Sequence, residues 1–485
     1  MKWTDNKTYL SATDLVGHLS CRHLTSLDQA VAKGTLARPA SYDPFLEILR
    51  ERGALHEQAY IDHLKTSGLD AVRIEGIDIT ATTAAQTLDA MRAGTPVIVQ
   101  GALLNGRWSG RTDVLLRVET PSALGPWSYE AVDTKLARET KGGTVLQLCL
   151  YSDLLAGAQG LTPEFMHVVP PWADFQREQY RFADYGAFYR RAKSGLELTV
   201  DSVGDSDTYP DPNSHCDVCR WSTQCDKRRR ADDHLCLVAG ISKVQINELK
   251  SRSVGAMESL AHMTLPLQWK PERGSAHSYE RVREQARLQV EARVSGNLCF
   301  EHLPVEAGFG LSCLPEPSDG DVFLDLEGDP FVGEHGLEYL FGYQFKNEAG
   351  EWTYVGDWAF SRVDEKLAFE AFVDFVTKHR KAYPELHVYH YAPYEPGALK
   401  RLMGRYATRE EEFDNMLRSK LFVDLYAVVR NGLRASVESY SIKRLEPFYG
   451  FTRETALQEA NIALLSLQSS LELGVVENQD STFAL

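Results

Sequence analysis

Four cysteines divided between two distant places restrict this chain more than any other feature. Cys21 stands near the start, in Leu19-Ser20-Cys21-Arg22-His23; almost two hundred residues later come Cys216-Asp217-Val218-Cys219 and Cys225. A C-x2-C-x5-C run has metal-ligand spacing: a tight turn lets the first pair grip one metal, and the third thiolate closes the same side. A four-ligand site needs one thiolate more. Cys21 supplies it if the chain folds back, and the sequence between then becomes a domain clasped by its own ends. Spacing does not decide between zinc and an iron–sulfur cluster. Cys149, Cys236, Cys299 and Cys313 read as buried thiols.

At 485 residues the chain is too long for one ordinary core, so two or three domains are expected. No apolar run reaches membrane-spanning length, and the first residues carry no signal-peptide core. Both point to the cytoplasm, where eight cysteines favour metal or free thiols over disulfides. The net charge is 52 minus 68, or −16. That weighs against a uniformly basic nucleic-acid surface, although Lys227-Arg228-Arg229-Arg230 forms a local basic run.

Residues from about 8 to 70 read as helices, with Ser11-Ala12-Thr13-Asp14 as a helix start. From Pro96 the pattern turns to strands at 97–104, 111–118 and 129–135. A helix from about 144 to 156 and a strand at 164–169 follow. The expected organisation is a first domain over 1–236, a small helical element over 237–270, a connector over 271–318 and a second α/β domain over 319–485.

The first domain carries a candidate constellation. Asp113 lies in Gly110-Arg111-Thr112-Asp113, and Asp133-Thr134-Lys135 is a D-x-K on one strand. Alternation puts Asp133 and Lys135 on the same face. His56, in Arg52-Gly53-Ala54-Leu55-His56-Glu57, falls on a helix. Two aspartates and an imidazole would hold a hard divalent cation, magnesium or manganese, which polarises a phosphate. Lys135 would orient water and offset charge on that phosphate. These residues, with Gln147-Leu148-Cys149-Leu150-Tyr151 and the divided cysteines, resemble the RecB-like branch of the PD-(D/E)XK nucleases over about residues 8–236. The resemblance implies catalytic roles for Gln147 and Tyr151. It also favours a 4Fe-4S cluster on Cys21, Cys216, Cys219 and Cys225.

Between the domains, Ile241 to Leu249 and Val254 to Ala261 read as two short helices around a turn. They resemble a helix–hairpin–helix module, which grips a nucleic-acid backbone. An ordinary packing hairpin fits the same pattern.

The second domain opens with Asp321-Val322-Phe323-Leu324-Asp325-Leu326-Glu327, an apolar strand bearing D-x-E. Later come His390-Tyr391-Ala392-Pro393-Tyr394-Glu395, an Asp424 segment and Ser439-Tyr440-Ser441-Ile442-Lys443. This order resembles the YprB-like branch of the DEDD-type 3′–5′ exonucleases, which have an RNase H-like fold. The resemblance assigns metal-holding roles to Asp325, Glu327 and Glu395 and a structural role to Asp424. The late fourth acid of that family has only Asp480 as its counterpart, five residues from the end. The second site is therefore expected to be impaired, or completed by sequence this chain lacks.

The fold expected is thus α/β: a PD-(D/E)XK restriction-endonuclease-like domain, then an RNase H-like α/β domain, with a small helical element between. The layout resembles the front part of RecB-like nuclease–helicase proteins, although no P-loop is present. A magnesium- or manganese-dependent deoxyribonuclease is expected, acting on single-stranded DNA ends in repair or processing. The alternatives are a nucleic-acid-binding module serving a helicase partner and a cluster-based redox sensor. RNA remains open as a partner; a membrane does not.

Overall fold

The computed structural model describes residues 1–40, 44–136, 140–171, 173–202, 208–330, 332, 335–453, 463–464, 466–468 and 470–471. The chain forms two compact units, Met1–Cys225 and Asp226–Leu485. Asp480 lies outside the described residues.

The first unit begins with a hairpin, β1 (Lys2–Thr4) and β2 (Lys7–Ser11). Helix α1 (Ala12–Ser20) starts where the sequence indicates: Asp14 Oδ2 accepts from the Ser11 N–H at 2.8 Å. Helices α2 (Arg22–Ala32) and α3 (Pro44–Thr66) follow, then β3 (Ala71–Arg73) and α4 (Ala81–Arg92). The central strands are β4 (Val97–Asn105), β5 (Trp108–Val118) and β6 (Ser128–Thr134). Next come α5 (Gly142–Gln159), β7 (Phe165–Val169), β8 (Glu178–Arg181) and α6 (Phe182–Asp201). The chain passes into the second unit within α7 (Ser222–Ala231).

These strands form one eight-stranded sheet with helices on both faces. α3 places Tyr60, Ile61 and Leu64 on Val97, Val99, Val114 and Val132. α5 covers the other face and is apolar nearly all round, as a helix enclosed by protein must be. It ends at Gly160, whose φ of 70° suits glycine.

The irregularity that matters lies at the centre of β4 and β5. The ladder pairs Val99 with Val114 and Gly101 with Thr112, skipping Gln100 and Asp113. Gln100 has φ +57°, a conformation costly for anything but glycine. Facing reverses across it: Ile98 and Leu103 reach the α5 core although their parities differ, as do Trp108 and Leu115 on β5. The other edge of β5 is shared, by β2 at Trp108 and Ser109 and by β6 from Val114 onward. Asp113 stands in the fork between them.

In the second unit, α8 (Lys243–Ser251), α9 (Met257–Ala261) and α10 (Ala276–Ser295) share an apolar core. α8 and α9 are the two short helices seen in the sequence, and their apolar residues are spent on packing. The stretch 271–318, expected to be a connector, is through most of its first half the 20-residue α10. Its inward stripe, Tyr279, Val282, Ala286 and Val290, includes Gln285 and Gln289 and is crowded by Arg and Glu, which hid the helical period.

Beyond lie β9 (Phe300–His302), β10 (Val322–Asp329), β11 (Leu337–Lys346), β12 (Trp352–Trp358), α11 (Arg362–Ala382) and β13 (Val388–His390). Then come α12 (Tyr394–Tyr406), α13 (Glu410–Arg418), β14 (Phe422–Asp424), α14 (Leu425–Gly432), β15 (Leu433–Ala435) and α15 (Ile442–Leu445). β9 pairs with β15. The main sheet has the order β12-β11-β10-β13-β14, antiparallel among its first three strands and parallel from β10 onward. No helix among the described residues is long and apolar enough to cross a membrane.

Candidate functional site

In the first unit the fork in the sheet gathers the acids. Past the pairing of Val114 with Val132, β6 leaves β5, and the Asp113 carboxylate takes over the lost ladder. Its Oδ2 accepts from the Thr134 N–H at 2.8 Å and the Thr134 hydroxyl at 2.9 Å. Asp133, almost fully buried, turns toward α5 with Lys135, whose Nζ lies 2.6 Å from Asp133 Oδ2. Gln147 Nε2 faces Asp133 Oδ1 at 3.4 Å and donates to the Tyr151 hydroxyl at 2.8 Å. Tyr151 fits because residue 110 is glycine: a Cβ there would stand 2.7 Å from its ring.

Electrostatics follow from this crowding. Burial, and then the neighbouring Asp113, push Asp133 well above the usual carboxylate range; Lys135 pulls the other way. Burial acts to lower the Lys135 ammonium, but Asp133 and Asp113 outweigh it and hold it up. Tyr151 is pushed up by burial and by both aspartates.

His56 is close but differently engaged: its Nε2 meets the Val169 carbonyl at 3.0 Å, and its ring stacks toward Phe175. The α3 carboxylate in reach of Asp113 is the adjacent Glu57, raised by burial and by Asp113. Gln100 Nε2 donates to Glu57 Oε1 at 2.8 Å. Sequence reasoning missed Glu57 and Gln100; His56-Glu57 offered two candidates, and only the helix phase separates them.

All eight cysteines are free thiols. Cys21 lies between α1 and α2, and Cys216 in a single turn of 3-10 helix, Ser214–Val218. Burial raises the Cys219 thiol, and Cys21 and Cys216 are near enough to add to it. The chain does fold back here: His23 Nδ1 meets Thr208 Oγ1 at 2.9 Å, and Gln29 Nε2 donates to the Val200 carbonyl at 2.9 Å. Of the other four, Cys149 is buried, with its thiol pushed up to about 12 by burial. Cys236 and Cys299 are half-buried, and Cys313, expected inside, is exposed on a short turn.

In the second unit, β10 alternates cleanly. Leu324 and Leu326 enter the core, while Asp325 and Glu327 share the opposite face. Asp325 is open to solvent on one side yet hemmed in enough that desolvation, then Glu395, push it up. Glu327 is raised by desolvation and by Asp325. The Lys443 ammonium, near α15's start, pulls both down. Glu395 is buried at the start of α12, with His390 Nδ1 at 3.4 Å from Oε2. Asp424 Oδ1 accepts from the N–H groups of Ala392 at 3.0 Å and Tyr426 at 2.9 Å, fixing the turn that delivers Glu395. A Cβ at residue 328 would fall 2.1 Å from Glu338 Oε2, which the Tyr394 hydroxyl holds at 2.7 Å, so any larger residue there requires Glu338 to move.

Among the described residues, no group of three His, Cys, Asp or Glu side chains is placed to hold a metal ion. No curated protein matches the chain. Residues 322–465 match the family model of the RNase_H superfamily, a nuclease-type fold associated with nucleic acid; the α/β domain at the C-terminal end of the chain is RNase H-like.

Proposed function

We propose that the chain is a metal-dependent nuclease that hydrolyses phosphodiester bonds in DNA, with the first unit as a RecB-like PD-(D/E)XK centre. The observation that carries this reading is the meeting of Asp113, Asp133 and Lys135 in the fork of the sheet. A buried carboxylate beside a second one is costly unless a cation offsets it, and one ammonium does not balance two acids.

Carboxylate oxygens are the donors a hard cation takes. Asp113 and Asp133 would hold magnesium or manganese, with His56 or Glu57 from α3. A metal held there would supply polarisation of the phosphate and activation of water. The chain's own groups prepare the site. Thr134 fixes Asp113, Gln147, itself bonded to the Tyr151 hydroxyl, meets Asp133, and Lys135 beside Asp133 would offset charge building up on a phosphate. Asp325, Glu327 and Glu395 would hold metal in the second unit, where Glu395 Oε2 is buried without a hydrogen-bond partner.

Cys21, Cys216, Cys219 and Cys225 would hold a 4Fe-4S cluster or zinc. Soft thiolates free of disulfides suit either. Such a group would supply folding free energy by tying the start of α2 to the segment that leads into α7 and to α7 itself.

The test is anaerobic purification followed by manganese-dependent cleavage of end-labelled single-stranded DNA. Lys135→Ala should lose about a hundredfold or more in rate, the scale of one lost charge-stabilising donor. Wild-type chain that binds DNA and never cuts would sink the nuclease reading and leave a binding module.

A further inference from the structure

A cavity of about 190 Å³ lies within the second unit, among α8, α10, α14 and β15. Arg281, Arg430 and Arg434 line it with Tyr440, Gln245 and Ser278, and no carboxylate is among its lining residues. Arg434 is paired with Glu301 at 2.6 Å. Arg430 leans on the Tyr426 ring, 5.9 Å from its centroid, and no described carboxylate lies within ion-pair distance of Arg430 or Arg281. Burial raises the Tyr440 phenol, and the Ala435 N–H and all three guanidiniums act to lower it, which places the charges around one hydroxyl.

In a chain of net charge −16, two unmatched guanidiniums directed at one small hollow call for an anion. The space is below the usual range for whole small-molecule ligands, roughly 300 Å³ upward, but takes a phosphate. Guanidinium forks match phosphate oxygens in pairs. The cavity is also tied to the acids. The Tyr391 hydroxyl donates to the Tyr440 carbonyl, and Tyr391 lies four residues before Glu395. Lys443, in electrostatic reach of Asp325 and Glu327, is three residues after Tyr440. Three residues span at most about 10 Å, the rise of about three nucleotides at roughly 3.4 Å each.

We infer that this cavity seats a backbone phosphate of a nucleic-acid strand whose neighbouring nucleotides reach Asp325, Glu327 and Glu395. The inference rests on the nucleic-acid reading of the second unit. It is read by binding alone, so its failure is separable from a failure to cut. Full-length chain would be titrated into a fluorescent single-stranded oligonucleotide in calcium, at several salt concentrations, with inorganic phosphate as competitor.

Arg281→Gln and Arg430→Gln should each weaken binding about five- to tenfold and flatten the salt dependence by about one counterion. Both side chains are exposed and without carboxylate partners, so melting temperatures should hold. Millimolar inorganic phosphate should displace the strand from wild type and less so from Arg281→Gln. Variants with wild-type affinity and salt slope would overturn the inference. So would a wild type that holds inorganic phosphate but no strand, which would assign the cavity to a free phosphate.

Discussion

Gln100 and Asp113 face each other across β4 and β5 where the ladder skips a pair, and the Gln100 side chain crosses to hold Glu57 at 2.8 Å. A left-handed residue thus supports one carboxylate while standing opposite another. Gln100→Gly should relieve about 1 kcal/mol of backbone strain relative to Gln100→Ala, seen as a higher melting temperature. Both should raise the manganese concentration for half-maximal cleavage several-fold, because both free Glu57. Equal melting of the two variants would count against the strain, and an unchanged manganese requirement against the role of Glu57.

Asp133 makes stability depend on pH in a definite direction. Its folded-state pKa is raised, so the folded chain binds the proton more tightly than the unfolded chain does. Its contribution is therefore full at low pH and is lost as pH rises from the ordinary carboxylate range through the raised value. A divalent metal held by Asp133 would compete with that proton. Magnesium should raise the melting temperature more at pH 8 than at pH 5, and the difference should shrink in Asp133→Asn. Lys135→Met removes the counter-charge and should steepen the loss of stability with pH; a flat profile in scanning fluorimetry would contradict this.

Cys216→Ala should lower the metal content of purified chain and the melting temperature of the first unit. Cys149→Ala should leave metal content unchanged, since its thiol lies in the α5 core. Elemental analysis beside calorimetry decides it: full metal content and unaltered melting in Cys216→Ala would remove the clasp.

Gly328→Ala should destabilise the second unit by about 1–3 kcal/mol, the cost of forcing atoms into occupied space. Relief requires Glu338 to move and the Tyr394 hydroxyl to lose its acceptor. Chemical denaturation measures the effect directly. An unchanged midpoint would show that Glu338 has room to yield.

Much of the architecture could be read in advance because period and alternation are local. Ser11 and Asp14 marked α1, the runs 97–104 and 111–118 lie inside β4 and β5, and the D-x-K and D-x-E pairs share faces as spacing requires. What escaped depends on tertiary context. The hairpin of β1 and β2 lies in a polar stretch with three exposed residues on one strand. α10 hid its inward stripe behind glutamines. The reversal at Gln100 left no trace, since nothing about a lone glutamine announces a positive φ. Glu57 stands beside His56, a stronger ligand type, and only the phase of α3 tells which of the two reaches Asp113.

The hydrogen bond between His23 and Thr208 joins residues 185 positions apart. At roughly 5–20 residues per second, a ribosome needs about 10–40 s between making one partner and the other. Over that interval α2 exists without the segment it docks against, while the strands between have already emerged. The two ends of the first unit can therefore meet only after every strand between them has been made.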